Sequence, residues 1–329
     1  MKNNDILISV VMSVYNGAEF IRETIDSVLN QSHTNFEFMI TDNASQDDTV
    51  SIINSYNDKR IRLFVNDVNK GYVVNLNNMI RKSSGKYIVR QDADDIIMKA
   101  KFSKLVDYME AHPNVGACGY YVNVFGSNKG KIRQELSNDK IRAAMLFENQ
   151  MDSLSMVRTS MFRDGVEYNE KFIPAEDYEL WYEIMKKAEL VNIPEFLLDY
   201  RLHGNNTSIE KKEIGEKNRL QVQCLIFKYL FTMDMDCDMK KTFEVLYNDN
   251  KTISVNIDFL ITCLERLSQF PFNVGEINRN CFLYYLTRRW FIFCLKNKPK
   301  GWLSLLTKPN FVRIQFLFYF LYSMVQKKI

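Results

Sequence analysis

Gly85-Lys86-Tyr87-Ile88-Val89-Arg90-Gln91-Asp92-Ala93-Asp94-Asp95 joins an apolar run to an acidic cluster, and that junction identifies the fold class. Tyr87–Gln91 is short and made largely of aromatic and β-branched residues, which predicts a strand. Where it ends, the carboxylates of Asp92, Asp94 and Asp95 crowd together, and a helical pattern, Ala100–Ala111, takes over. On either side of this junction, Ile6–Val14, Phe36–Thr41, Ile61–Val65 and Val115–Tyr121 read as further strands. Between them lie helical patterns at Glu19–Gln31, Asp47–Tyr56 and Val73–Lys82. In the first of these, Phe20, Ile21, Ile25, Val28 and Leu29 fall on one face, as a helix packed on a sheet requires. Strands alternating with helices of this length imply an α/β fold, a mostly parallel Rossmann-like sheet with helices on both faces. Ligands of such sheets bind outside the carboxyl ends of the strands. That rule points at Tyr15-Asn16, Asp42-Asn43 and Asp92-Ala93-Asp94.

The stretch 122–175 is less regular, with turn signals at Gly126–Gly130 and Gly165. A strong helix, Glu176–Glu189, follows, with Leu180, Trp181, Ile184 and Met185 on one side. A short strand near Leu190–Ile193 and the segment Phe196–Ser208 come next. From about 214 the pattern is almost wholly helical, broken at Pro271, Pro299 and Pro309, because proline cannot continue a helix. The expected division is a domain of residues 1–213, in halves 1–121 and 122–213, and a helical C-terminal region, 214–329.

The net charge of the 329-residue chain is only +3, which gives no sign of a nucleic-acid binder. Cysteines 118, 224, 237, 263, 281 and 294 are scattered without a CxxC pair, so they read as reduced, buried thiols of a cytoplasmic protein. Ile6–Val14 holds Ser9 and Ser13 and runs into Tyr15-Asn16-Gly17 rather than a cleavage site. It is therefore read as a buried first strand, not a signal peptide. No segment offers the roughly 20 apolar residues of a spanning helix. From Ile277 to Ile329 there is no acidic residue, while Arg279, Arg288, Arg289, Lys296, Lys298, Lys300, Lys308, Arg313, Lys327 and Lys328 alternate with many aromatics. Such a composition suits a segment lying on an anionic membrane surface, here the inner face of the cytoplasmic membrane. It also suits a helical subdomain that packs its aromatics and leaves a basic face in water.

Four places carry candidate chemistry. Side chains at i and i+2 of an extended segment point the same way, so Asp92 and Asp94 can converge on one divalent cation. Mg²⁺ and Mn²⁺ take one or two carboxylates plus phosphate oxygens. A solvated acidic turn reads equally from the same residues. Glu176 and Asp177 open a helix, where carboxylates favour the macrodipole; either could instead be a general base at the rim of the sheet. His203 lies in the polar stretch Tyr200–Ser208 and is either a hydrogen-bonding loop residue or a metal ligand. Asp42 could cap helix 47–56 or accept the N3–H of a uracil.

Taken in order, these motifs resemble family 2 of the glycosyltransferases, which has the GT-A fold. The resemblance rests on Ser9–Gly17, Ile25–Gln31, Asn35–Thr49, Asn69-Lys70-Gly71 with Asn75-Leu76-Asn77, Gly85–Asp95, Glu176–Trp181 and Tyr200–Ser208, and covers roughly residues 5–210. It implies an inverting, metal-dependent enzyme of the bacterial polysaccharide or O-antigen type. A sugar would pass from a nucleotide-sugar, a UDP-sugar first, to a hydroxyl of a glycan or lipid-linked glycan. By resemblance, Ser13 and Tyr15 line the nucleotide pocket and Asp42 binds the base. Asp92 sits near ribose and metal, and Asp94 ligates Mn²⁺ or Mg²⁺. Asp177 is the catalytic base with Glu176 beside the acceptor, in the half 122–213, and His203 lies near metal or diphosphate. Ser13 stands where many relatives have proline, and Asn43 where a second aspartate is frequent. The rival readings are a nucleotidyltransferase, which would leave Glu176-Asp177 and Tyr200–Ser208 without a purpose, and a non-catalytic nucleotide-sugar-binding protein.

Overall fold

In the computed structural model, residues 5–204, 206–247, 278, 280–286 and 288–289 are described. Their elements run β1 (Ile8–Val14), α1 (Ile21–Leu29), β2 (Phe36–Asp42), α2 (Thr49–Asn54), β3 (Ile61–Val65), α3 (Tyr72–Lys82), β4 (Tyr87–Arg90), β5 (Ile96–Ile97) and α4 (Lys101–Ala111). Then come β6 (Val115–Gly126), β7 (Gly130–Ile132), α5 (Asn138–Met145), β8 (Met156–Arg158), α6 (Thr159–Arg163), α7 (Glu176–Met185), β9 (Glu189–Leu202), α8 (Thr207–Glu210), α9 (Lys212–Phe231) and α10 (Cys237–Tyr247).

The strands form one sheet in the order β3-β2-β1-β4-β8-β6-β9-β5, with β7 paired to β6. The pairs β1–β2, β2–β3 and β1–β4 are parallel, as the alternation of strand and helix requires. Beyond β4 the sheet turns mixed, because β8 enters antiparallel to both β4 and β6. The middle of β1 is buried on both faces, Val10, Val11 and Met12 being fully covered, the pattern of a central parallel strand. On one side α1 packs Ile21, Ile25 and Val28 into the core. Just before β4 the chain passes so close to β1 that a Cβ on Gly85 would meet the Ser9 backbone nitrogen at 2.5 Å, so only glycine fits.

Several elements differ from the sequence reading, β9 and β8 among them. β9 is one strand where two segments were expected, and Pro194 is the reason. The β6–β9 ladder steps from Gly119–Asn192 to Tyr121–Phe196, so Pro194 falls in a bulge, where its missing N–H costs no ladder bond. β8 is only three residues long, too short to leave a periodic signal.

The chain divides into two compact units, residues 1–141 with 150–219, and residues 142–149 with 220–329. Within the second, Phe231 packs against Phe227 at 4.6 Å and against Phe282 at 5.3 Å between ring centroids. Gln223 Nε2 donates to the Phe147 carbonyl at 2.9 Å. Most of the basic, aromatic segment after Ile277, like Pro271, Pro299 and Pro309, lies outside the described residues. No helix among the described residues is long and apolar enough to cross a membrane. Cys118 is buried, Cys224 and Cys281 are partly buried and Cys237 is exposed, which corrects the expectation of uniform burial. Cys263 and Cys294 lie outside the described residues.

Candidate active site

Beyond the carboxyl ends of β1, β2 and β4 opens a cavity of about 820 Å³, within the size range of small-molecule sites. Ser13, Tyr15, Asn43, Asp92, Asp94, Glu176, Asp177 and His203 all line it. One side of it is stitched together by amides. Asn75 Nδ2 donates to Ser13 Oγ (3.0 Å), and Asn66 Nδ2 donates to both Asn75 Oδ1 (2.9 Å) and Asn43 Oδ1 (3.2 Å). Asn43 Nδ2 in turn donates to Asn69 Oδ1 at 2.7 Å, and the Lys70 N–H donates to Asn43 Oδ1 at 2.9 Å. The loop after β3 is thereby fixed to the ends of β1 and β2. Asn16 and Ala44, in the loops after those two strands, take positive φ of 51° and 66°. That conformation is uncommon for residues other than glycine, and such strain gathers at functional sites.

Asp42 is fully buried, and its neighbour Asn43 lines the cavity instead. Asp42 Oδ2 accepts the Ser45 N–H at 3.0 Å, so it closes the turn after β2 rather than capping α2. Its Oδ1 has no hydrogen-bond partner among the described residues.

The acidic triplet lies on a turn, not on the extended segment the sequence suggested. β4 ends at Arg90. The buried Gln91 amide then donates to the carbonyls of Asp92 (3.0 Å) and Asp95 (3.2 Å), which draws the chain round. The three carboxylates therefore take different partners. Asp92 is forked by Arg90, Nε to Oδ1 at 2.7 Å and Nη2 to Oδ2 at 3.1 Å. Asp94 Oδ2 meets His203 Nε2 at 2.9 Å and accepts from Asn206 Nδ2 at 3.4 Å. Asp95 is buried and accepts the Arg201 N–H at 2.8 Å. Arg201 also reaches back from β9 with its Nε to the Asp94 carbonyl at 2.9 Å and packs between Phe20 and Phe125.

Burial pushes the Asp94 carboxyl above its ordinary range; the Asp92 charge adds to this and His203 opposes it. A bound cation would offset that cost. Neighbouring ligands of an octahedral ion with bonds of about 2.1 Å lie about 3 Å apart, which is the Asp94–His203 separation. No group of three His, Cys, Asp or Glu among the described residues could hold a metal alone. The donor set thus fits an ion that draws its remaining ligands from phosphate and water.

Across the cavity, Glu176 and Asp177 occupy the first turn of α7, which has no side-chain cap. Asp177 Oδ1 accepts the Tyr178 N–H at 2.7 Å, so the carboxylate satisfies the helix end and still faces the cavity. Burial first, and then the Glu176 charge, push its pKa up to about 7 against the opposing pull of Arg90. A carboxylate tuned near neutrality is suited to general-base work. His33 and His112 play no part here, since His33 is buried against the Ile6 carbonyl and His112 stacks on Tyr108.

Residues 9–166 match the family model described as glycosyl transferase family 2. A glycosyltransferase of Haemophilus influenzae is 34% identical over 217 residues, 61% of this chain and 67% of that protein. The chain belongs to family 2 of the glycosyltransferases. Among other relatives, a UDP-Glc:α-D-GlcNAc-diphosphoundecaprenol β-1,3-glucosyltransferase of Escherichia coli is 29% identical, over 67% of this chain and 92% of that one. Solved structures that share the fold include S. aureus TarS 1–349 in complex with UDP-GlcNAc, with a TM-score of 0.59 and 16% identity over 89% of this chain and 88% of that one. Another is a mannosyltransferase from Pyrobaculum calidifontis in complex with GDP-Man and Mn²⁺, with a TM-score of 0.51 and 15% identity over 94% and 84%. This glycosyltransferase therefore has the GT-A fold.

Several side chains at the site were not singled out from the sequence: Arg90, Arg201, the amide network around Asn43, and the tyrosines Tyr72 and Tyr168 whose rings flank Arg90 at 5.5 and 5.9 Å. Arg90 carried a signal, as a lone cation in an apolar strand two residues before an acidic turn. Asn43, Asn69 and Asn75 stand within the stretches that carry the family resemblance, but no network was read from them, since asparagines near turns are ordinary.

Proposed function

We propose that this glycosyltransferase moves a sugar from a UDP-sugar to a hydroxyl of a glycan or lipid-linked glycan, with inversion at the anomeric carbon. The observation that carries this reading is the placing of Asp177, raised to about 7, in the same cavity as the acidic turn. Ser13 and Tyr15 would flank the nucleotide. Asp42 would bind the base through Oδ1, which has no hydrogen-bond partner among the described residues but is buried, so the turn after β2 would have to open to expose it. Asp92 would sit near ribose and metal, and Asp94 with His203 would hold Mn²⁺ or Mg²⁺. When bound, that ion supplies positive charge to the diphosphate leaving group. Asp177 accepts the proton of the acceptor hydroxyl as its oxygen bonds to the anomeric carbon and the bond to the diphosphate breaks. Glu176 lies beside the acceptor. One base suffices for this single displacement, so an α-linked donor yields a β-linked product. Two relatives lend support: the Escherichia coli relative is named for UDP-Glc, a diphospholipid-linked acceptor and a β-linkage, and TarS has been solved with UDP-GlcNAc.

On this reading residues 1–213 form the catalytic domain, and the basic, aromatic part of 214–329 attaches the enzyme to the inner face of the cytoplasmic membrane, where a lipid-linked acceptor would be met. The test is a panel of nucleotide-sugars with and without chelator, monitoring nucleoside diphosphate release and the anomeric configuration of the product. UDP release with a β-linked product is the expected result. Release of pyrophosphate from a nucleoside triphosphate would point instead to nucleotidyl transfer, and turnover that survives chelation would remove the metal from the scheme.

A further inference from the structure

Arg90 is the last residue of β4 and lies opposite Val11 of β1, so its backbone is fixed by the centre of the sheet. Its side chain is 12% exposed, and Glu176 is 5% exposed. The guanidinium uses three nitrogens on two carboxylates: Nε and Nη2 on Asp92, and Nη1 on Glu176 Oε1 at 3.0 Å. The rings of Tyr72 and Tyr168 flank it on α3 and in the loop before α7. Both carboxylates face the cavity, one on the turn after β4 and the other at the start of α7, 86 residues from Arg90 in sequence.

We infer that Arg90 is a positioning residue for transfer, tying the donor-side turn at Asp92 to the acceptor-side helix end at Glu176 in one rigid frame. The inference rests on the reading of this cavity as a sugar-transfer site. A forked guanidinium fixes direction as well as distance, which a lysine ammonium cannot do. Because Asp177 follows Glu176 on the same helical turn, the frame also sets the offset between the base and the anomeric carbon. When that offset slips, water can still attack a bound donor while the acceptor hydroxyl is misplaced. Donor hydrolysis and transfer then respond differently. A residue that merely stabilised the fold would lower both together.

The experiment compares full-length wild type, Arg90→Lys and Arg90→Gln with one UDP-sugar and one acceptor. It records transfer, donor hydrolysis, Mn²⁺-dependent UDP binding by calorimetry, and the melting temperature. Transfer by Arg90→Lys is expected to fall by about 10- to 10²-fold, the upper figure being what misplacing a reacting group by about 1 Å can cost. Its hydrolysis-to-transfer ratio should rise, and UDP binding should change much less than transfer. Adding Glu176→Gln to Arg90→Lys should lower transfer little beyond the single variants, because both break one frame. If Arg90→Gln does not fold, Arg90→Lys keeps the charge and still reads out the geometry. A wild-type ratio in Arg90→Lys, or a loss of transfer matched by equal losses in hydrolysis and UDP binding, would overturn the inference while leaving the sugar-transfer reading intact. Absence of transfer by wild type with every nucleotide-sugar would remove the basis of both.

Discussion

Asp177→Asn separates the cost of a raised carboxyl pKa from the use proposed for it as a base. In the folded protein the Asp177 pKa is raised from 3.8 to about 7, first by burial and then by the Glu176 charge. An acid whose folded-state pKa lies above its unfolded value binds more protons when folded, at every pH between the two. Stability therefore falls as pH rises across that interval, and the loss is complete above pH 7. A tenfold change in the proton-binding constant is worth about 1.4 kcal/mol, so the ionised Asp177 costs the ligand-free fold up to about 4 kcal/mol. Asparagine carries no charge and escapes that cost. Urea unfolding of both proteins at pH 4, 6 and 8 should show little difference at pH 4 and a growing advantage for Asp177→Asn towards pH 8. Transfer should move the other way, falling by about 10²- to 10⁴-fold as expected for loss of a general base. In wild type, kcat/KM should rise with pH through an acid limb near 7, since that ratio reports the free enzyme. A stability difference that is the same at pH 4 and pH 8, or near-normal turnover in Asp177→Asn, would refute the reasoning and leave Asp177 as a helix-end residue.

Three further outcomes are expected. Asp94→Asn should abolish transfer and Mn²⁺-dependent UDP binding, as chelation should for wild type; calorimetry with UDP, with and without the ion, checks this. His203→Ala should weaken Mn²⁺-dependent UDP binding more than it lowers the melting temperature, whereas the reverse order would make it a loop hydrogen bond to Asp94. The full chain should float with anionic vesicles and lose binding in high salt, as screening requires; a folded chain ending before Ile277 should not float, and equal flotation of the two would assign the tail to packing or to a protein partner.

The order of residues was enough to read the alternation of strand and helix through β4, the place of the acidic turn at a strand's carboxyl end, and the glycosyltransferase family. Those are local signals: periodicity of 2 or 3.6, turn residues, and motif order. At β9 the reading gave two segments, Leu190–Ile193 and Phe196–Ser208, because the bulge that joins them depends on which partner strand lies alongside. Which carboxylate meets which partner came from the packed chain alone. Asp94 and His203 are 109 residues apart, Arg90 and Glu176 are 86 apart, and nothing in the residues between them encodes those pairings. The same holds for Asp42, whose place at a strand end was legible but whose burial beside Asn43 was not. Spacing along a chain fixes which way a side chain leaves its own strand or helix. The partner it finds there is set by how the sheet and the loops at its carboxyl edge pack, and here that packing joins Asp92 to Arg90 and gives Asp94 to His203.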